Sequence, residues 1–461
     1  MAIDAAQSPA RFEPGSYSTF RFLERRLDRD GLVTLRYALD QRLEFTERFE
    51  LPVPGTLSEA DREGVDGLLS LLHWVAGVSY FKTAVPPAVS CESGEPLPAA
   101  AALLEALYSE GLAEFAYTSG LGALPRPRFP SSPVRRQAQP EHPEPPEGAL
   151  RRVLVPVGGG KDSAVALEIV RRSGLQLALM SVGDAPPIMR TVQAAGLAHL
   201  LVRRRLDPGL AGLNRAGALN GHVPITAIVS CVALLCAALN GFDAVAMANE
   251  RSASAGNLSW EGIEVNHQFS KGIAAERLLR AALRELPGAP ELFSVLRPAS
   301  ELAIARAFAR LPAYHGAFTS CNAIFRIDPG LRAASWCCEC PKCRFVFLAL
   351  APFCEPGQLR SIFGRDLLEE DRQFEGFALL TATGGHKPFE CVGEEQESLA
   401  AIRMLAEQPQ WASHSVVERL VAEVLPQQPP GAGDPSTVLA LADDHELPGR
   451  LLADVRALLG A

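Results

Sequence analysis

The amino-acid sequence predicts an α/β protein built on a parallel sheet, and three observations carry that expectation. Short apolar runs alternate with helical periodicity between residues 153 and 247. Three consecutive glycines, Gly158, Gly159 and Gly160, separate the first apolar run from the helix after it. Of the 461 residues, 48% are hydrophobic, which supplies a sizeable core. Repeated strand–helix–strand units imply parallel strands covered on both faces, with ligands at their carboxyl ends.

Taken in order, residues 20–28 (F-R-F-L-E-R-R-L-D) read as a short helix whose Arg21, Arg25, Arg26 and Asp28 form a solvated face. Residues 32–39 and 42–51 alternate around Asp40-Gln41 as a β-hairpin does, and helical stretches follow near 59–77 and 99–117. Prolines 125, 127, 130, 133, 140, 143, 145 and 146 exclude regular helix or central strand from 124–148. The alternation then runs strand from 153, helix to 172, strand 176–182, helix 188–195, strand 200–202, helix 225–239, strand 244–247. The predicted organisation is an N-terminal α+β domain at 1–123, a Pro-rich linker at 124–150 and an α/β core at 151–343. A helical and mixed region at 344–425 and a tail with a terminal helix at 426–461 complete it.

A net charge of −9 and a pI near 5.6 argue against a surface built to hold a long nucleic acid. The first residues lack the basic start and apolar stretch of a secretory signal. Residues 223–239 are interrupted by Pro224, Thr226 and Ser230, and fall short of the roughly 20 apolar residues of a membrane span. The expectation is a cytoplasmic protein with no membrane or nucleic-acid partner; the sequence is silent on oligomeric state. Ten cysteines in such a chain suggest reduced thiols or a metal site.

The segment V-L-V-P-V-G-G-G-K-D-S at 153–163 is the most specific signal. Small residues let backbone N–H groups converge on an anion, and the helix dipole adds positive potential. The spacing is neither that of a Walker A loop nor G-x-G-x-x-G. Asp162 and Ser163 open the helix, and Lys161 offers phosphate a point charge. Glu250, in Asn249-Glu250-Arg251-Ser252 after the strand at 244–248, is placed to help hold magnesium through carboxylate oxygen. The plainer alternative is an ordinary Gly-rich turn and a polar loop.

Cys337, Cys340 and Cys343 have C-x-x-C-x-x-C spacing, and Cys321 can supply a fourth sulfur to a closed, structural zinc site. Cys338 is an alternative ligand, and a metal-free cluster of reduced thiols an alternative state. In the polar segment G-G-H-K-P-F-E-C-V-G-E at 384–394, His386 and Cys391 are candidate proton-transfer groups. Lys387 and Lys82 are candidates for substrate phosphate or carboxylate groups.

The glycine loop resembles the S-G-G-x-D-S loop of the PP-loop ATP pyrophosphatase superfamily, matching at Gly159, Gly160, Asp162 and Ser163, with Gly158 in place of the first serine. With Ser320-Cys321 and the later cysteines, residues 153–343 are similar to 7-cyano-7-deazaguanine synthase, a PP-loop enzyme that adenylates a carboxylate. The wider layout adds L-R-Y-A-L-D at 35–40, F-T-E-R-F-E at 45–50, Y-F-K-T at 80–83, N-E-R-S-A-S at 249–254 and the segment at 384–394. As a whole it resembles the UDP-N-acetyl-α-D-muramoyl-L-alanyl-L-glutamate epimerases. That resemblance implies ATP- and Mg2+-dependent inversion of the terminal L-glutamate of a UDP-linked muramoyl dipeptide, with release of AMP and diphosphate. Competing readings are another carboxylate-adenylating ligase or amidating synthetase, and a catalytically silent nucleotide-binding regulator.

Overall fold

A computed structural model of the chain describes residues 11–132, 150–325, 330, 332–333, 335–383 and 385–460. Residues 133–149 of the expected linker and Gly384 lie outside these. The described residues form two compact units, each assembled from separate stretches of chain. Unit 1 takes those within 1–141, 202–240 and 278–289; unit 2 takes those within 142–201, 241–277 and 290–461. Residues 202–240 and 278–289 of the expected α/β core belong to unit 1, and unit 2 runs on past the expected boundary at 343.

Unit 1 holds an antiparallel meander of β1 (Thr19–Leu27), β2 (Leu32–Leu39) and β3 (Leu43–Glu50), extended by β4 (Ala88–Cys91) running parallel to β1. The helix expected at 20–28 is therefore a strand. Phe20 and Phe22 are both fully buried while Arg21 between them is not, and only an extended chain puts alternate residues on one face. Arg21 pairs with Glu92 at 2.6 Å and Arg25 with Asp66 at 2.8 Å. Phe20, Phe22, Tyr37, Phe45, Tyr80 and Phe81 make an aromatic core, with Tyr37 and Tyr80 stacked at 5.0 Å. The helix Ile225–Leu239 carries no charged side chain and packs on the helix Asp66–Ala76, also in unit 1.

In unit 2, β5 (Arg152–Pro156) lies parallel to β6 (Gln176–Val182). The strand β7 (His199–Arg205) crosses the division between the units. On its other edge β5 pairs in parallel with β8 (Ala244–Met247). A two-stranded hairpin, β9 (Leu258–Trp260) and β10 (Ile263–Val265), follows, and β11 (Glu291–Ser294) adds to β8 in parallel. The order β11-β8-β5-β6 puts β5 and β8 side by side, pointing the same way. The chain leaving each therefore emerges at the same edge of the sheet, where parallel α/β sheets bind ligands.

The helices Lys161–Arg172, Glu301–Ala309, Pro341–Leu350 and Glu395–Ala406 share one hydrophobic core. Residues beyond 343 thus belong to the same body as the glycine loop. Among the described residues no helix is long and apolar enough to cross a membrane.

Candidate active site

The three glycines after β5 face different surroundings. Gly159 has φ of +81°, and a Cβ there would lie 2.6 Å from the Pro187 carbonyl carbon, so only glycine fits. A Cβ on Gly160 would lie 2.8 Å from the Ser320 hydroxyl, whereas one on Gly158 would meet nothing within 4 Å. The Ser163 hydroxyl accepts the Gly158 N–H at 2.9 Å, and Thr319 N–H donates to the Gly159 carbonyl at 2.9 Å. The result is a braced loop with one open side, leading into a helix whose first N–H groups lack intrahelical partners, the build of an anion seat.

A dense set of buried charges surrounds this loop. Lys161 is fully buried, and its ammonium donates to both Asp162 and Glu301. Lys342 stands 3.5 Å from the second oxygen of Glu301. Burial opposes ionisation of Glu301, yet Lys161 and Lys342 hold its pKa down to about 2. Behind it, Glu397 accepts the Glu301 N–H at 2.7 Å and the Ser252 hydroxyl at 2.6 Å, and burial pushes its pKa up to about 7.

Glu250 differs from all of these. It is 1% exposed, and neither carboxylate oxygen has a hydrogen-bond partner among the described residues. Burial raises its pKa, Glu301 and Asp162 add to the rise, and Lys271 and Lys342 oppose it. Its backbone is held firmly, since Arg297 donates to the Glu250 carbonyl at 2.6 Å while pairing with Glu276 at 2.7 Å. An anchored backbone with an unsatisfied buried carboxylate suits a site that receives a cation or a protonated group.

Lys271 links this region to Cys391. Burial favours its neutral form, but Cys391, Glu250, Asp162 and Glu301 together raise its pKa well above the usual lysine value. The Cys391 thiol is likewise pushed up by burial. Lys271, a hydrogen bond with His267, and Lys342 outweigh that and bring it down to about 7. The loop carrying the thiol is tied down by Lys342, whose N–H donates to Glu390 at 2.9 Å and whose ammonium donates to the Cys391 carbonyl. Asn257 joins both sides, donating to the Pro388 carbonyl at 2.9 Å and accepting the His267 N–H at 2.9 Å.

The other expected residues sit elsewhere. His386 is exposed, with Nδ1 3.0 Å from the Lys387 carbonyl and its ring 5.4 Å from that of Phe389. Lys387 is buried. Lys82 lies in unit 1, donating to Asn220 at 2.6 Å and to the Gly221 carbonyl at 2.9 Å, with its pKa lowered to about 8 by burial.

The sulfurs of Cys321, Cys337, Cys340 and Cys343 all lie within 4.8 Å of one another, Cys337 and Cys343 being 3.7 Å apart. Four sulfurs at about 2.3 Å from a tetrahedral zinc ion would stand about 3.8 Å from each other. The donor set therefore fits that ion. Cys338, with φ of +60°, turns its sulfur toward the Phe363 carbonyl at 3.4 Å and stands outside the set.

Comparison with known proteins places this arrangement. Residues 11–295 match the family model described as the MurL N-terminal domain, and residues 317–433 match that of the MurL C-terminal domain. The chain belongs to the MurL family. A relative from Salinispora tropica is 48% identical over 407 residues, 86% of each chain. One from a Micromonospora species is 47% identical over 429 residues, 91% of this chain and 93% of its own. One from Xanthomonas oryzae pv. oryzae is 42% identical over 449 residues, 97% and 98% of the two. All three are named UDP-N-acetyl-alpha-D-muramoyl-L-alanyl-L-glutamate epimerase.

The MurL N-terminal match contains the glycine loop, Glu250, His267 and Lys271; the MurL C-terminal match contains the four sulfurs, Lys342 and Cys391. Glu301 stands in the interval between them. Sequence reasoning missed Glu301, Glu397, His267, Lys271 and Lys342. Glu301 follows Ser300 as an ordinary first-turn acid of a capped helix, Glu397 is the third-position acid of a capping box, Lys342 fills a variable position of the cysteine motif, and His267 and Lys271 sit in no motif.

Proposed function

We propose that the chain inverts the α-carbon of the terminal L-glutamate of UDP-N-acetyl-α-D-muramoyl-L-alanyl-L-glutamate, after AMP has been transferred to that residue's carboxylate. The names of the relatives support the substrate. The observation that carries the mechanism is the buried chain of charges from Asp162 of the glycine loop through Lys161, Glu301 and Lys342 to the Cys391 carbonyl, together with the unpartnered Glu250.

On this reading unit 2 is a PP-loop nucleotide domain, and the loop at Gly158, Gly159 and Gly160 seats the phosphates of ATP. Glu250 and Asp162 would hold magnesium, which would neutralise phosphate charge when bound. A carboxylate oxygen of the substrate attacks the α-phosphorus, and diphosphate leaves. The reason for this step is electrostatic: removing the Cα proton beside an ionised carboxylate would place two negative charges on one small group. Once adenylated, the carboxylate has lost its own charge, and an enolate-like transition state can be stabilised by Lys271 and neighbouring donors. The activated carbonyl can also cyclise with the adjacent amide to an oxazolone, which makes the same proton more labile still.

The Cys391 thiolate accepts the Cα proton, and a second group returns one to the opposite face. His267, hydrogen-bonded to the thiol, stands on the thiol's own side and helps to hold it ionised, while exposed His386 remains the candidate for the opposite face. Water then cleaves the acyl–phosphate bond and AMP departs. Lys82 and Lys387 remain candidates for the charged ends of the substrate. The four sulfurs would hold a structural zinc, which would contribute folding energy when bound. The chain acts in the cytoplasm, where ATP and UDP-linked precursors are present.

The test is incubation with ATP, magnesium and the UDP-linked L-Ala-L-Glu precursor in deuterated water. D-glutamate carrying deuterium at Cα is expected, with AMP and diphosphate formed without any nitrogen donor. ADP and orthophosphate, or inversion without nucleotide, would overturn the mechanism. AMP formation that requires added ammonia would indicate an amidating synthetase instead.

A further inference from the structure

We infer that the Ser320 hydroxyl is a phosphate-binding group of the glycine loop, donating to a phosphate oxygen of the bound nucleotide or of its diphosphate product. The inference rests on the nucleotide reading above and adds a residue from a distant part of the chain.

Three observations meet at this side chain. Its Oγ packs against Gly160, 2.8 Å from where a Cβ would stand, so the loop has space for this hydroxyl only because position 160 is glycine. Ser320 is partly exposed, and its hydroxyl makes no hydrogen bond among the described residues. The Ser163 hydroxyl of the loop itself accepts the Gly158 N–H, which orients its own O–H as a second donor beside Ser320. Ser320 is also held on both sides: Thr319 N–H donates to the Gly159 carbonyl at 2.9 Å, and Cys321 is buried within the four-sulfur cluster. A polar group fixed beside the free N–H groups of a twelve-residue helix, in a site that also holds the unpartnered Glu250, is placed to donate to an oxyanion.

The four-sulfur site thereby gains a second role. Through Cys321 it fixes the position of a nucleotide-contacting residue, so Ser320 needs no rigidity of its own.

Calorimetric titration of the full chain with inorganic pyrophosphate and with ATP tests this, comparing wild type with Ser320→Ala. Loss of one hydrogen bond to a charged oxygen is expected to weaken both by about ten-fold or more. Thermal midpoint and bound metal should be unchanged. Equal affinity in the two proteins would overturn the assignment, and so would a loss of affinity accompanied by a lower midpoint or lost metal, which would make Ser320 a packing residue. A wild type that binds neither ligand would bring down the nucleotide reading itself, a result distinct from a silent Ser320→Ala.

Discussion

Glu47 in unit 1 and Glu250 in unit 2 are both buried carboxylates, yet their surroundings differ in kind. Glu47 receives Arg204 at 2.5 Å on one oxygen while its other oxygen has no hydrogen-bond partner among the described residues, and Arg204 in turn reaches the Ser79 hydroxyl at 3.0 Å. Its neighbours Tyr37 and Tyr108 likewise place their hydroxyls on the His73 and Trp74 carbonyls. Around Glu250, by contrast, Asp162, Glu301, Lys271 and Lys342 crowd together while both of its own oxygens go unmet. A matched buried pair is what a protein needs to keep its fold; an unmatched one is tolerated where something else completes it. The contrast separates a buried carboxylate whose charge is paired from one whose charge is not.

Breaking the loop should have the largest effect. Asp162→Ala is expected to lower AMP formation by about 1,000-fold, the scale of losing a preorganised electrostatic contact, with an unchanged circular dichroism spectrum. Retained turnover would remove the loop from the mechanism. The two carboxylates should then respond in opposite ways. Glu47→Gln leaves the Arg204 charge without its partner and is expected to cost about 3 kcal/mol in denaturant unfolding. Glu250→Gln relieves an unpaired buried carboxylate, so stability should hold or rise while turnover falls about 100-fold. A stability loss in Glu250→Gln equal to that in Glu47→Gln would erase the distinction.

Acid should sharpen the comparison from the side of unit 1. Burial lowers the His73 pKa from 6.5 to about 4, with the Arg36 carbonyl opposing and Arg25 reinforcing. An unfolded chain therefore binds the proton more readily than the folded one below about pH 6.5. Stability from this group is present at neutral pH and is lost as pH falls toward 4, by about 2 kcal/mol between about pH 7 and pH 5. Protection factors for hydrogen exchange in the helix Asp66–Ala76, which correct for the pH dependence of the intrinsic rate, should fall over that window, and less so in His73→Gln. The smallest effect is expected at Gly158→Ala. Its side chain would enter open space at an ordinary φ, so the unfolding midpoint should move by no more than about 0.5 kcal/mol, while Gly159→Ala should lower it clearly.

The amino-acid sequence by itself determined the alternation of strands and helices from β5 to β8, the glycine loop between strand and helix, and the C-x-x-C-x-x-C spacing that supplies three of the four clustered sulfurs. Each of these is a short-range pattern, set by backbone preference and by side-chain period over a few residues. Even there a local reading failed once, at residues 20–28, where spaced arginines looked helical and two phenylalanines needed one face of a strand. Only the tertiary structure decided which charges meet. Lys161 and Glu301 are 140 residues apart, and Lys342 reaches the Cys391 carbonyl across 49. It likewise set Cys391 beside Lys271 and His267, left His386 in solvent, and placed Ser320 against Gly160. Such pairings leave no periodic trace, because they arise from where the parallel strands and the helices of one core end in space.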